Sequence, residues 1–405
     1  MEVEIKKQKV VVIGHGTTSR LGIVRAVAEL GCEITVIVMA WPKQGRTDIS
    51  RTVPYDCRSK YISRVLFCHF KDGDGLVRLL LEECTDPGQK VILLPDSDFS
   101  AMVIDSNMER LRPYFAFPHV GNQPGAVLGW MNKLRQKELA RKVGLNVPDA
   151  VVVGIRNGKY VLPEGIHYPC FTKALVTIVG GKQLFHRCDG EEQLRTVLDD
   201  IARQEDVQVL VEDYKAIETE YAVLGFSDGN RVILPGIIRF LTNSESHFGI
   251  ALQGEILPVS GFESLLERFR DFVRQVGFVG VFDIDFFRCG DAFFFGEMNL
   301  RFGGSGYAVT KMGVNLPAML IRHLRGEGIE GMETQVKGSA IFVNERMCND
   351  DWYQRRITSR QFRRALSSAD IRFLEDKNDP EPQRRFEALH RKQIRKRLIK
   401  RILHR

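Results

Sequence analysis

The sequence has no apolar run approaching the ~18–20 residues that a membrane-spanning helix needs, so no transmembrane helix is expected. Its eight cysteines, Cys32, Cys57, Cys68, Cys84, Cys170, Cys188, Cys289 and Cys348, include no CxxC pair. That argues against a zinc ribbon and a thioredoxin-type redox site, and free thiols in a reducing compartment are expected. Its histidines form neither HExxH nor HxH, so no zinc site is signalled. No Walker A element is present, which removes a P-loop reading. Met1 to Lys9 is charged and lacks the apolar core and cleavage site of a secretory leader, so a cytoplasmic location is expected. No internal repeat and no low-complexity tract precedes the tail Arg384–Arg405.

What is present is an ordinary globular composition, 44% hydrophobic and 27% charged. A chain of 405 residues is long enough for two or three compact units. The net charge of +7 is unevenly placed: Arg384 to Arg405 carries +9, which leaves the rest at −2. Phe386, Leu389, Ile394, Leu398, Ile402 and Leu403 in this tail are spaced for one helical face. Such a helix packs on its own domain, or meets an anionic substrate or an anionic lipid surface such as the inner membrane face. No stacking aromatics are interleaved with the charges, so a nucleic-acid partner is not expected.

Along the chain, strand-like and helix-like segments alternate. Lys9–Ile13, Glu33–Met39, Val65–Phe67 and Val91–Leu94 read as strands, with helices over Leu21–Leu30 and Gly75–Cys84 between them. This order predicts an α/β unit with a parallel sheet, ending near Pro118–Pro124. Gly14-His15-Gly16 follows the first strand, but the next glycine is Gly22, so the dinucleotide fingerprint is incomplete. A strand-to-helix turn able to cradle an anion is the plainer reading. Further on, helices are expected over Asn132–Val143, Glu191–Ala202 and Phe262–Val276. Strands are expected over Ala150–Gly154 and Val207–Glu212, with a polar turn and the run Pro169–Lys173 between them. Two hairpins are expected, Glu220–Phe226 with Val232–Phe240, and Val281–Phe287 with Ala292–Asn299.

The chemistry concentrates between residues 283 and 301. Strand alternation puts Asp283 and Asp285 on one face, opposite Phe282, Ile284 and Phe286. Glu297, Asn299 and Arg301 share a face in the same way. An odd-length loop, such as Cys289–Asp291, brings the two polar faces together; an even loop sets them on opposite faces. If they meet, their hard oxygen donors suit Mg²⁺ shared with phosphate oxygens. The surrounding phenylalanines favour a sheltered site.

A set of motifs now lines up in order. Asn132-Lys133 heads a helix. Tyr168-Pro169-Cys170-Phe171-Thr172-Lys173 follows, then Leu210-Val211-Glu212-Asp213-Tyr214 with Glu220-Tyr221. Asp285 and Glu297-Met298-Asn299-Leu300-Arg301 complete it. From residue 9 to about 330 this combination resembles the ATP-grasp superfamily, with the Glu-x-Asn-x-Arg element complete. Within it the chain looks most like amide-forming carboxylate–amine ligases, the group with D-aspartate ligase and relatives of carbamoyl-phosphate synthase. The implied fold is α/β: an ATP-grasp fold with an N-terminal Rossmann-like pre-ATP-grasp domain and a basic C-terminal extension. The implied units are 1–124 (pre-ATP-grasp), 125–212 (N-terminal lobe), 213–330 (C-terminal lobe with the metal site) and 331–405 (extension with the basic tail). Two local departures are Ala174, where the family usually has proline after the phosphate lysine, and a loop before Gly180 with few glycines.

The resemblance also implies roles. Lys133 and Lys173 would hold ATP phosphates. Glu212, Asp213 and Tyr214 would form the adenine hinge, the Glu through its carbonyl or side chain. Glu220 would bond the ribose. Asp285, Glu297 and Asn299 would bind one or two Mg²⁺, with Mn²⁺ as a substitute. Arg301 would stabilise the transferred phosphoryl group, and Lys182 would close over the phosphates. Arg239 would clamp a substrate carboxylate or make a structural ion pair, and Thr242–Gly254 would help cover the site. The implied activity is ATP-dependent amide formation through an acyl phosphate, on small-molecule or peptide acids and amines, in a protein that related enzymes suggest is a homodimer. The alternatives are carboxylation through carboxyphosphate, and a nucleotide-binding scaffold without turnover.

Overall fold

The computed structural model describes residues 7–15, 18–41, 52–176, 178, 184–244 and 249–403, side chains of 397–403 excepted. Near the N-terminus, apolar runs such as Val10–Ile13 and Val91–Leu94 are buried along their length, as strands of a parallel sheet covered on both faces must be. The strands are β1 (Lys9–Gly14), β2 (Glu33–Ala40), β3 (Ile62–His69), β4 (Val91–Pro95) and β5 (Phe115–Ala116). They run parallel in the order β3-β2-β1-β4-β5. The crossover helices are α1 (Thr18–Ala28), α2 (Gly73–Glu83) and α3 (Asp98–Ser106). Asp72 caps α2 by accepting from the Gly75 N–H, and Ser97 with Ser100 forms a capping box on α3. The sequence reading left α3 out, because its nine residues are short for a periodicity signal.

The next unit holds helix α4 (Lys133–Lys142) and a four-stranded antiparallel sheet. Its strands are β6 (Ala150–Gly154), β7 (Cys170–Ala174), β8 (His186–Cys188) and β9 (Gln208–Asp213), in the order β6-β9-β7-β8, with helix α5 (Glu191–Ala202) before β9. The Asn132 side chain caps α4 by accepting from the Arg135 N–H.

The largest sheet has nine strands. Seven lie in the order β15-β14-β10-β12-β13-β16-β17: β10 (Thr219–Asp228), β12 (Ile237–Asn243), β13 (Ala251–Leu257), β14 (Phe278–Cys289), β15 (Ala292–Asn299), β16 (Ala340–Val343) and β17 (Ile371–Arg372). The short β11 (Val232–Ile233) pairs with β10, and His119–Val120 pairs with β14. Pro235-Gly236 separates β11 from β12, so the expected strand Val232–Phe240 is two strands. The segment expected to help cover the site supplies the end of β12 and the start of β13, and its Gly249 lines the cavity described below. Residues 245–248 of that segment lie outside the described residues. Helix α6 (Glu263–Val276) buries Leu266, Phe269, Phe272, Val273 and Val276, and Gly277 ends it at φ 71°.

The C-terminal part is tied back to the first sheet by one buried cation. From α1, Arg25 donates to the Asp379 carboxylate at 3.0 Å and to the carbonyls of Phe373 and Leu374. Both Arg25 and Asp379 are buried. Removing one partner strands a buried charge, so Arg25→Ala is expected to cost about 3–5 kcal/mol, read by denaturant unfolding.

The basic tail is one continuous helix, α7 (Glu381–Leu403). Its packed stripe differs from the expected one. Phe386 meets Tyr55, and His390 stacks on Phe362 and against Trp352. Gln393, one turn on from His390, accepts from Asn349. Leu389 is exposed. The i, i+4, i+7 stripe therefore includes polar residues, which an apolar-only pattern passes over. Leu398, Ile402 and Leu403 have side chains outside the described ones.

Candidate active site

The polar cluster forms where β14 and β15 pair. The connection between them is a two-residue turn, Gly290–Asp291, with Cys289 opposite Ala292. Gly290 at φ 59° occupies the first central position, where a type II′ turn takes glycine. An even turn alone would set Asp285 and Glu297 on opposite faces. A β-bulge at Gly296 inserts one residue between the Phe286–Phe295 and Asp285–Glu297 pairs and reverses the parity. Asp285 then faces Glu297, and Asp283 faces Asn299. A Cβ at Gly296 would lie 2.9 Å from the Asp285 carbonyl oxygen. Gly296→Ala is expected to push the two strands apart and cost about 1–3 kcal/mol in denaturant unfolding, the usual penalty for overpacking.

The strand bearing these groups is held from α4. The Gln136 amide donates to the Met298 carbonyl at 2.9 Å and accepts from the Met298 N–H at 2.8 Å. That fixes the residue between Glu297 and Asn299. Asn146 accepts from the Phe295 N–H at 2.8 Å and donates to the Phe293 carbonyl.

The side chains converge in a charge ladder. Lys133, buried at the head of α4, pairs with Glu297. Asn299 donates to Asp285 at 3.1 Å. Arg301 donates to Asp98 at 3.2 Å and lies 3.9 Å from Asp283. Burial pushes the Asp283 carboxyl up to about 6 against the pull of Arg301. Burial and the Asp283 and Glu297 charges push the Asp285 carboxyl well above its ordinary value. Burial also opposes ionisation of Glu297, but Lys133, with Lys173 and Arg301 behind it, outweighs this and holds it down to about 2.

A second ion cluster sits at the other sheet. Glu212, buried on β9, is shared by Lys173 at 2.7 Å and Lys137 at 2.9 Å. Burial lowers the Lys137 ammonium to about 8, opposed by Glu212 and assisted by Lys173. Lys137, fully buried one turn along α4 from Lys133, was missed in the sequence. Its spacing was the available signal, since i and i+4 share a helix face. Glu212 spends its carboxylate on the lysines, while the Asp213 and Tyr214 N–H groups donate to the Asp149 and Pro169 carbonyls. The Arg187 guanidinium lies over the Tyr214 ring at 4.4 Å. Glu220, at the start of β10, accepts from Asn243 at 2.7 Å.

Between the two sheets opens a cavity of about 510 Å³, within the range of small-molecule sites. Lys133, Lys173, Glu212, Glu220, Asp285 and Glu297 all line it, along with Asp213 and Tyr214. Phe171, Phe185, Ile217 and Phe240 give it apolar walls. Arg239 does not line it; on β12 it pairs with Glu255 across to β13. Lys182 lies outside the described residues. Asp98, which meets Arg301 from 203 positions away, was not foreseen.

The donor set fits a hard cation in part. Asp285 and Glu297 supply carboxylate oxygens and Asn299 an amide oxygen, and Mg²⁺ completes its shell with water and phosphate. Asp283 Oδ1, buried beside them, has no hydrogen-bond partner. Among the described residues no group of three or more His, Cys, Asp or Glu side chains is close enough to form an all-protein cage.

Neither a family model nor a curated protein matches this chain. Solved structures do. The ADP complex of N5-carboxyaminoimidazole synthetase from Staphylococcus aureus superposes with a TM-score of 0.61 at 15% identity, over 84% of this chain and 83% of that one. An L-amino acid ligase from Bacillus licheniformis superposes with a TM-score of 0.61 at 16% identity, over 83% and 79%. The biotin carboxylase domain of the Hydrogenobacter thermophilus 2-oxoglutarate carboxylase, a dimer complexed with MgADP, ADP and bicarbonate, gives 0.62 at 17% identity, over 83% and 74%. With its two sheets closing on a cavity lined by cations and carboxylates, and with these neighbours along most of its length, the chain has the ATP-grasp fold.

Proposed function

We propose that this protein is an ATP- and Mg²⁺-dependent ligase that joins a carboxylic acid to an amine. The observation that carries the reading is the convergence of Lys133, Lys173, Asp285 and Glu297 on one cavity, with Arg301 beside the carboxylates. Phosphoryl transfer from ATP needs charge neutralisation and in-line placement more than covalent help. Lys133 and Lys173 hold the phosphates as point charges. Asp285, Glu297 and Asn299 would hold Mg²⁺, which would supply neutralisation of phosphate charge. Glu220 bonds the ribose. Glu212 keeps Lys173 and Lys137 in place rather than meeting adenine with its side chain. The hinge is left to the main chain beyond Tyr214.

The acid's carboxylate oxygen attacks the γ-phosphorus of ATP and ADP leaves, which gives an acyl phosphate. Arg301 stabilises the charge on the transferred group. The amine nitrogen then attacks the acyl carbon, phosphate leaves, and the nitrogen loses a proton. The cavity walls, with Phe171, Phe185 and Phe240 among them, keep water from the acyl phosphate. Arg239, bound to Glu255, is assigned the structural role. The 1–124, 125–212, 213–330 and 331–405 units serve as acceptor-side domain, two ATP-holding lobes and a C-terminal brace. No helix among the described residues is long and apolar enough to cross a membrane. We assign the chain to the cytoplasm.

The test is phosphate release from Mg-ATP by purified protein with paired panels of acids and amines, bicarbonate included among the acids. Release that needs both an acid and an amine, with an amide product by mass spectrometry, is the expected result. Release with bicarbonate and an amine, giving a carbamate, would replace this reading with carboxylation. ATP binding without release across the panel would replace it with a scaffold.

A further inference from the structure

Two of the eight free cysteines stand directly opposite each other. Cys170 opens β7 and Cys188 closes β8, and the antiparallel register pairs them at the end of the ladder. Strand alternation sends both to one face. Phe171, Lys173 and Arg187 line the cavity from the other face. The two cysteines are buried in the core beneath α5, among Val153, Leu194, Leu198 and Val209. The reaction drawn above uses neither thiol. Directly opposed residues of an antiparallel pair have Cα atoms about 4.5–5.5 Å apart. A disulfide takes Cα atoms about 4.4–6.8 Å apart, so these two can be joined without moving the backbone.

The two thiols are not equivalent. Burial and the Cys188 charge push the Cys170 thiol up to about 12. Burial raises Cys188 too, but a hydrogen bond from Cys170 opposes it, so Cys188 is the readier thiolate. Cys188 also sits on the weaker strand. β8 has three residues and lies at the edge of the sheet, with β7 as its one strand neighbour. On the far side of the short ladder, Thr172 donates to the Leu184 carbonyl at 2.7 Å and accepts from the His186 N–H at 3.2 Å. A short edge strand opens locally without unfolding the domain, which gives a buried thiol its route to a reagent.

We propose that Cys170 and Cys188 are a reversible redox site, oxidised by small-molecule disulfides such as glutathione disulfide, and that the cross-strand bond they form braces the cavity wall. The Cys188 thiolate attacks one sulfur of the oxidant; one thiol leaves and a mixed disulfide remains. The Cys170 thiolate then attacks the Cys188 sulfur and the second thiol leaves. The protein gives up two protons and two electrons, and the oxidant becomes two thiols. The new bond ties together the strands that carry Phe171, Lys173 and Arg187. Redox state thereby sets how firmly β8 is held in the wall. This claim is independent of the reaction proposed above.

The test uses the reduced full chain under native conditions, treated with glutathione disulfide and mapped by peptide mass spectrometry. We expect one peptide pair linked through Cys170 and Cys188, and recovery of both thiols with dithiothreitol. In the oxidised protein, amide hydrogen exchange across His186–Cys188 should slow roughly tenfold, since β8 no longer opens freely. The thermal midpoint should rise and fall back on reduction. Cys170→Ala lacks the second thiol, so it should keep glutathione on Cys188 and show no slowing of exchange. If that variant fails to fold, the wild-type map and exchange still decide. Recovery of both residues as thiols, or their linkage only after denaturation, overturns the site. A Cys170–Cys188 bond that leaves exchange across β8 unchanged overturns the brace.

Discussion

On the proposed ligase reading, Glu297→Gln is expected to lower ATP-dependent phosphate release about 10²–10³-fold, in the range seen when a preorganised electrostatic group is removed from a phosphoryl- or acyl-transfer site. The residue does two things. Its carboxylate faces Asp285 across the hairpin, and it neutralises the buried Lys133. Glutamine keeps the shape and an oxygen but loses the charge. The Mg²⁺ concentration for half-maximal release should rise at least roughly tenfold, since hard cations favour carboxylate over amide oxygen. The buried Lys133 then loses the Glu297 charge, so the thermal midpoint should also fall. Wild-type turnover with an unchanged Mg²⁺ dependence would remove Glu297 from the metal site.

Glu212→Gln acts first on stability. One buried carboxylate neutralises two lysines, and Lys137 is fully buried. Losing it should cost about 3–5 kcal/mol, the usual penalty for an orphaned buried charge. Adding Lys137→Met removes one orphan, so the double variant should recover part of the loss in denaturant unfolding. The pH dependence has a definite sign. Burial alone would raise the Glu212 carboxyl, but Lys173 and Lys137 hold it below its ordinary value of 4.5. The unfolded chain therefore binds this proton first as pH falls. The stabilisation is complete above about pH 4.5 and is lost as the solution acidifies through the folded value. Wild type minus Glu212→Gln stability should therefore shrink on acidification below pH 4.5. A difference that is flat across that range would show that the pairs contribute nothing.

Much of the fold was legible because its signals are local. Apolar runs such as Val10–Ile13 between turn residues mark buried parallel strands. The stripe on Glu263–Val276 marks a helix lying on a sheet. Lys133, Lys173, Glu212, Glu220, Asp285 and Glu297 were named from motif order, and all line one cavity. Arg239 stayed open between two readings because a lone arginine on an apolar strand looks the same whether its partner is a substrate or, as here, Glu255 on the next strand. The tail misled because His390 and Gln393 pack where an apolar stripe was sought.

Within the hairpin the division is sharper still. By itself the sequence determined that Asp283 shares a face with Asp285, and Glu297 with Asn299, because side chains alternate along any extended strand. Whether the two faces meet depends on turn length plus every inserted residue between the strands. The even turn at Gly290–Asp291 and the bulge at Gly296 are separate departures that cancel, and strand pairing decides both. The approach of Asp98 to Arg301 depends on strand order. Strand order belongs to tertiary structure, because it follows from which apolar faces bury each other and not from any one segment's own pattern.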